Sequence, residues 1–191
     1  MQIADAQREM RTRYVGGFYG QLVSGALWIV SAALATWSTP RAAITTIVIG
    51  GCFIFPLTEM LLRLEGERVK LSANNALRQL GMQVAFVLPL SMPLLAPVAR
   101  YRLTLFFPAL MILVGAHYLP FVFLYGMRMF AVLAVVLIGG GLSSGMYLTD
   151  SLSAGAWFAG AVLVAFAVVG RSIAARETWT TPPASLEPAR S

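Results

Sequence analysis

The hydrophobic positions of this chain come in long blocks that are separated by short polar connections. The surface helix of a soluble protein carries one apolar stripe, whereas a helix in lipid is apolar on all sides. A helix needs about 20 apolar residues to cross a hydrocarbon core of about 30 Å. The pattern therefore predicts an all-α integral membrane bundle of six transmembrane helices. The predicted spans are residues 16–37, 42–62, 77–96, 103–118, 121–142 and 154–170.

The fourth and fifth spans lie in one apolar block, residues 103–142, which is about two spans long. Proline restricts the residue before it and cannot continue the interior of a helix. The break is therefore predicted at His117–Pro120. By the same reasoning, Pro89 and Pro93 are predicted to kink the third span.

Polar segments flank the spanning domain, which is predicted to occupy residues 15–172. Residues 1–14 mix arginines with acidic residues and predict a cytosolic segment that can form a short amphipathic helix. Residues 173–191 include Pro182, Pro183 and Pro188 and predict a disordered tail.

The distribution of basic residues predicts the orientation of the bundle, because connections on the cytoplasmic side are enriched in Lys and Arg. With the N-terminus inside, three basic residues fall outside, namely Arg41, Arg100 and Arg102. The remaining eleven of the 14 fall inside: Arg8, Arg11, Arg13, Arg63, Arg68, Lys70, Arg78, Arg128, Arg171, Arg176 and Arg190. Both termini are therefore predicted to be cytoplasmic.

Composition supports a membrane location and excludes several classes of function. Hydrophobic residues make up 58% of the chain and charged residues 12%, whereas soluble domains carry about 25% charged residues. The basic residues that give the net charge of +6 lie singly or in small groups between apolar blocks, so no nucleic-acid-binding face is predicted. One cysteine and one histidine are too few for a disulfide or a zinc site, and no cofactor is predicted. All basic residues except Lys70 are arginine, which is typical of a GC-rich bacterial genome, so the predicted location is the bacterial cytoplasmic (inner) membrane.

Five residues form a candidate ligand- or proton-binding layer, because ionisable groups inside a span are costly and often functional. Glu59 lies about 27 Å along the second span from its outer end, and His117 about 22 Å along the fourth, so both reach a similar depth. Arg128, Tyr118 and Tyr125 are predicted to lie in the same layer. Two alternatives remain open: Glu59 pairs with Arg63, one helical turn away, or the whole layer is a structural polar cluster.

Small residues at a spacing of four predict close helix packing, since they let two helix backbones approach each other. Gly16, Gly20 and Ser24 show this spacing in the first span. Gly141 and Gly145 repeat it at the end of the fifth span. No residue is predicted to be catalytic, because the sequence contains no Gly-x-Ser-x-Gly elbow, phosphate-binding loop or dinucleotide fingerprint.

Two short motifs, the Gly-Gly-Phe-Tyr-Gly segment 16–20 and the His-Tyr-Leu-Pro-Phe segment 117–121, resemble a known family. It is a family of small bacterial multi-pass membrane proteins with no assigned function. The resemblance covers nearly the whole chain and implies a six-span bacterial membrane protein. It implies no catalytic residues.

Two functions of different classes fit these patterns. One is a small transporter or permease-like protein, for which the polar layer and the prolines of the third span argue. The alternative is a non-catalytic membrane module that assembles with a partner or senses lipid, for which the packing glycines and the lack of an extramembrane domain argue. An enzyme acting on lipid is a third possibility. The predicted partners are membrane lipid and either a second copy of the chain or another membrane protein.

Overall fold

The computed structural model describes residues 1–66 and 71–179, with side chains described up to residue 176. In this part of the chain all regular structure is helical. Six helices are long and apolar enough to cross a membrane, which confirms the predicted fold class. The helices are α1 (Ile3–Tyr14), α2 (Phe18–Trp37), α3 (Pro40–Leu64), α4 (Leu77–Ser91), α5 (Leu95–Tyr101), α6 (Phe106–Tyr125), α7 (Met129–Tyr147) and α8 (Ala154–Trp179).

Three short 3-10 turns connect some of these helices. The turn Val15–Gly17 joins α1 to α2, and Leu103–Leu105 leads into α6. The turn Met92–Leu94 interrupts the third span between α4 and α5, close to Pro89 and at Pro93. The third span is thus broken where its prolines lie, and it runs on to Tyr101 rather than ending at Ala96.

The predicted break between the fourth and fifth spans at His117–Pro120 is wrong. Pro120 lies inside α6, which continues to Tyr125 and ends at Gly126 with a φ of 64°. Unpaired backbone groups are costly in an apolar environment, so a helix tolerates one proline more readily than a loop at that depth. Glycine adopts the left-handed conformation that ends a helix at little cost. The fifth span is accordingly Met129–Tyr147.

The last helix is longer than the sequence pattern predicted. The sixth span was expected to end at Gly170, but α8 continues to Trp179, so residues 173–179 of the expected disordered tail are helical. No proline or glycine follows Gly170 before residue 179 to stop the helix. The rest of the predicted tail, residues 180–191, and residues 67–70 of the charged connection lie outside the described residues.

The core of the bundle is built from two closely packed helix pairs, α2 with α8 and α6 with α7, and α7 also packs on α8. Large side chains fill the space between these helices. The fully buried ones include Trp28, Phe107, Phe130, Leu133 and Leu163.

Helices α3 and α4 lie at the periphery of the bundle, where α3 is closely packed on one neighbour and α4 is attached more loosely. α3 packs on α2 and α4 packs on α6, but α3 and α4 contact each other at few points. In the most apolar 18-residue stretch of α3, and in that of the third span, 11% of the residues are buried, against 44% in α6. The side of the bundle formed by α3 and α4 therefore presents most of its apolar surface outward.

Helix α1 lies against α4 and α6 because the chain turns sharply after Tyr14. Val15, Gly16 and Gly17 have consecutive positive φ angles of 51°, 62° and 83°. Glycine adopts such angles freely, whereas they are unfavourable for a β-branched residue such as valine. The turn brings Ala6 and Met10 of α1 into the core.

Candidate functional site at the α1 end of the bundle

Glu59 of α3 forms an ion pair with Arg13 of α1, with 2.9 Å between Oε2 and Nη2. Each side chain is 20% exposed, and the phenol of Tyr14 lies near the carboxylate of Glu59. The alternative that pairs Glu59 with Arg63 is wrong, because the partner comes from α1 and Arg63 is exposed. The pair therefore connects α1 to α3.

An aromatic cluster continues from Tyr14 into the core. The ring of Tyr14 meets Tyr125 edge-on, with 6.5 Å between their centroids. Tyr125 and Tyr118 both stack on Phe130 of α7, at 5.3 and 6.0 Å. Two of the predicted site residues, Tyr118 and Tyr125, thus belong to one buried cluster that reaches Glu59 through Tyr14.

His117 lies at the edge of this cluster. Its ring contacts Tyr118 and Phe121 edge-on, with centroid distances of 5.9 and 5.2 Å. The Nδ1 atom is buried and has no hydrogen-bond partner among the described residues. Arg128 is exposed at the start of α7, and no described ion pair or hydrogen bond joins its side chain to Glu59 or His117. Four of the five candidates, Glu59, His117, Tyr118 and Tyr125, therefore lie in or next to one aromatic cluster, whereas Arg128 lies apart from it.

Two residues of α1 that sequence reasoning missed hold the end of α6. Gln7 Nε2 donates to the carbonyl of Phe123 at 2.6 Å, and a guanidinium N–H of Arg11 donates to the carbonyl of Tyr125. The last carbonyls of a helix lack partners within it, and cationic side chains there are favourable. No pattern in the sequence links residues that are 116 positions apart.

Glu9 holds the segment that leads into α4. Its carboxylate accepts hydrogen bonds from the backbone N–H of Ser72 at 2.7 Å and from the side chain of Asn75. Burial opposes ionisation, but the hydrogen bonds from Asn75 and Ser72 outweigh it and hold the pKa of Glu9 below its ordinary value. Helix α1 therefore connects three helices: Arg13 contacts α3, Glu9 contacts the segment before α4, and Gln7 and Arg11 contact the end of α6.

Some of the predicted packing glycines make the close contacts expected of them. A Cβ on Gly16 would lie 2.6 Å from the carbonyl oxygen of Gly170, and one on Gly141 would lie 2.8 Å from that of Pro108. Ser24 is buried and lines a small cavity between α2, α3, α4 and α6. A Cβ on Gly20 or Gly145 would meet no atom closer than 3.5 Å, so neither position needs a glycine for close approach.

Helix α2 also approaches α8 closely at Gly25, which the spacing of small residues four apart did not predict. A Cβ on Gly25 would lie 2.8 Å from Val164 and 3.2 Å from the carbonyl oxygen of Gly160. A Cβ on Gly160 would lie 3.2 Å from the carbonyl oxygen of Gly25, so the two helices meet backbone to backbone. The two glycines are on different helices, and a spacing rule within one helix does not detect such a pair.

A small apolar cavity of about 40 Å³ lies between α2, α3, α4 and α6. Its walls include Ser24, Trp28, Gly51, Cys52 and Pro89. None of the five predicted site residues lines it. The cavity is nearly devoid of polar groups, and its size suits a few methylene groups better than a polar solute.

Six helices that are long and apolar enough to cross a membrane, arranged around a packed core, are typical of a multi-pass α-helical membrane protein. The chain belongs to the family of unknown function DUF7010, whose family model matches residues 3–171. A search of curated proteins and a search of solved structures both found no match.

Proposed function

We propose that this protein is a non-catalytic membrane module that responds to the surrounding lipid. One observation carries the proposal, namely the contrast between the well-buried helices of the core and the mostly outward-facing α3 and α4, which contact each other at few points. Closely packed helices have few alternative arrangements, whereas helices with few mutual contacts shift at low cost. The pair α3–α4 is therefore the part of the bundle that lipid can displace.

Helix α1 supplies a route by which such a displacement would reach the end of the bundle. Arg13 ties α1 to Glu59 of α3, and Glu9 ties it to Asn75 just before α4. On the other side, Gln7 and Arg11 tie α1 to the end of α6. A shift of α3 or α4 relative to α6 therefore has to move α1 or break one of these contacts.

The proposal is tested by distances between spin labels in bilayers of different composition. In a Cys52→Ser background, one pair of labels replaces Leu64 on α3 and Arg176 on α8. A control pair replaces Phe123 on α6 and Arg176, so that both labels report on the core. All of these positions are exposed.

We expect the α3–α8 distance distribution to change between nanodiscs of zwitterionic and anionic phospholipid, while the α6–α8 distribution stays constant. Glu59→Gln should broaden the α3–α8 distribution in both lipids, because it removes the ion pair to Arg13. An α3–α8 distribution that is the same in every lipid would reject the proposed response.

Transport is a second candidate, favoured by the buried amide of Gln21 in α2. This side chain is 2% exposed, and neither its Oε1 nor its Nε2 has a partner among the described residues. Unsatisfied buried polar groups are costly and are found at sites that bind polar solutes. If the protein conducts protons, vesicles with an imposed membrane potential should show flux that falls on substitution of Glu59→Gln or His117→Phe. Flux equal to that of empty vesicles would remove this candidate.

A further inference from the structure

The apolar cavity opens between α3 and α4, since these helices contact each other at few points and Cys52 on the cavity wall is exposed; this opening is called the cleft here. Val48, Gly51 and Cys52 of α3 line one wall, and Leu88, Pro89 and Met92 of α4 and the following turn line the other. The cleft is open at Gly51, where a Cβ would find its nearest neighbour, Met92 Cε, only at 3.9 Å. The walls are apolar enough for a hydrocarbon chain.

Two exposed arginines lie at the α1 end of this cleft, one on each helix. Arg63 follows Cys52 by about three helical turns, and Arg78 precedes Pro89 by about three turns, so each shares a helix face with a residue of the cleft. Helix α1 contacts both of these helix ends, through Arg13 and Glu59 on α3 and through Glu9 and Asn75 just before α4. The nearby carboxylate of Glu59 is neutralised by its ion pair with Arg13.

The spacing between the arginines and the cavity matches the depth of one lipid leaflet. Arg63 and Gly51 are about 18 Å apart along α3, and Arg78 and Leu88 about 15 Å apart along α4, at 1.5 Å per residue. Half of a hydrocarbon core of about 30 Å is about 15 Å. A headgroup at the arginines would thus place the end of its acyl chain at the cavity.

We propose that this cleft binds one anionic phospholipid, with its phosphate at Arg63 and Arg78 and one acyl chain between α3 and α4 that ends at Gly51 and Pro89. Arginine binds phosphate through paired, charge-assisted hydrogen bonds, and two arginines favour a lipid with net negative charge over a zwitterionic one. The proposal rests on the proposed function in one respect: it names the lipid to which the module responds.

The experiment uses Trp28, which lines the cavity and is 2% exposed, as a reporter. The other three tryptophans are replaced in a Trp37→Phe, Trp157→Phe, Trp179→Phe variant. This variant is placed in phosphatidylcholine nanodiscs that contain a minor fraction of phosphatidylglycerol brominated on its acyl chains. Bromine quenches tryptophan emission only at close range, so quenching reports an acyl chain next to the cavity.

We expect brominated phosphatidylglycerol to quench Trp28 several-fold more than the same fraction of brominated phosphatidylcholine. Arg63→Gln with Arg78→Gln should remove this preference, while Arg128→Gln, another exposed arginine near that end, should leave it unchanged. Gly51→Leu should reduce quenching by both lipids, because it fills the cleft. The matched control Gly139→Leu should not, since a Cβ at Gly139 meets nothing within 4 Å.

Equal quenching by the two lipids, or a preference that survives loss of both arginines, would overturn the proposal. Native mass spectrometry of the wild-type chain provides a measurement that needs no substitution, and it should show retained phosphatidylglycerol in preference to phosphatidylcholine. Lipid-dependent spin-label distances without selective quenching would reject this site alone. Selective quenching with lipid-independent distances would reject the sensing function and retain the site.

Discussion

At the scale of single residues, Arg13 and Glu59 show how a charged pair is tolerated near the membrane boundary. Each side chain is 20% exposed, so each charge keeps some contact with water while its partner supplies the rest of its stabilisation. Removal of one partner leaves the other charge partly buried and unpaired, which costs more than the intact pair contributes. The pair is therefore best tested by changing both residues.

We predict that Arg13→Gln and Glu59→Gln each lower the free energy of unfolding by about 1–2 kcal/mol. The double variant should cost less than the sum of the two, because neither charge is then left alone. Thermal unfolding in detergent measures all three variants. Arg128→Gln is the control, since Arg128 is exposed, and strictly additive losses would contradict the coupling.

Glu9 gives a pH dependence whose sign follows from its hydrogen bonds. Because these bonds hold its pKa below the ordinary value of 4.5, the carboxylate contributes stability above pH 4.5 and loses that contribution as the pH falls through the lower, folded-state pKa. We expect the thermal midpoints of wild type and Glu9→Gln to differ near neutral pH and to converge as the pH falls through the lowered, folded-state pKa of Glu9. A difference that stays constant over this range would show that ionisation of Glu9 does not matter.

At the scale of helices, the contact between α2 and α8 depends on glycines that face each other across the interface. Gly25→Ala should lower the free energy of unfolding by about 2 kcal/mol or more, since the added methyl would meet the backbone nitrogen of Val164 at 3.1 Å. Gly20→Ala lies in the same helix but has room, so we expect it to be neutral or to stabilise by up to about 1 kcal/mol. Unfolding of the two variants in detergent separates these outcomes, and equal losses would mean that the backbone contact is not limiting.

Helix number was predictable from the sequence, whereas helix ends depended on tertiary contacts. Blocks of apolar residues identified all six spans because the length of a span is set by the membrane. Pro120 was a misleading stop signal, since α6 ends at Gly126, where Gln7 and Arg11 supply the hydrogen bonds that the last turn needs. Partners from so distant a segment leave no local pattern.

At the scale of the whole molecule, the low burial of α3 and α4 predicts that local stability differs between the core and the periphery. Amide hydrogens exchange first where few buried contacts oppose local opening. In nanodiscs we expect the amides of α3 and α4 to exchange with deuterium before those of α6 and α7, as measured by mass spectrometry of peptides. Arg13→Gln should accelerate exchange near the end of α3 and leave α7 unchanged. Uniform exchange over all helices would contradict a division into core and periphery.

The candidate site was partly predictable at this scale. Counting residues from the ends of the spans placed Glu59, His117, Tyr118 and Tyr125 at similar depths, and the structure joins them through Tyr14 and the aromatic cluster. Depth along a helix does not fix direction around it, which is why Arg128 falls outside the set. Counting residues along the spans also could not predict the partner of Glu59, because Arg13 belongs to a helix that precedes the first span.

The contact of α1 with the end of α6 has a consequence for how the protein is made. Gln7 and Arg11 are synthesised more than a hundred residues before the carbonyls of Phe123 and Tyr125 exist. At a synthesis rate of about 5–20 residues per second, this interval lasts on the order of ten seconds. During that time α1 can pair only with Glu59 of α3 and with the segment before α4. Its contacts with the end of α6 form only after α6 is complete, and chains that stop short of residue 126 would lack them.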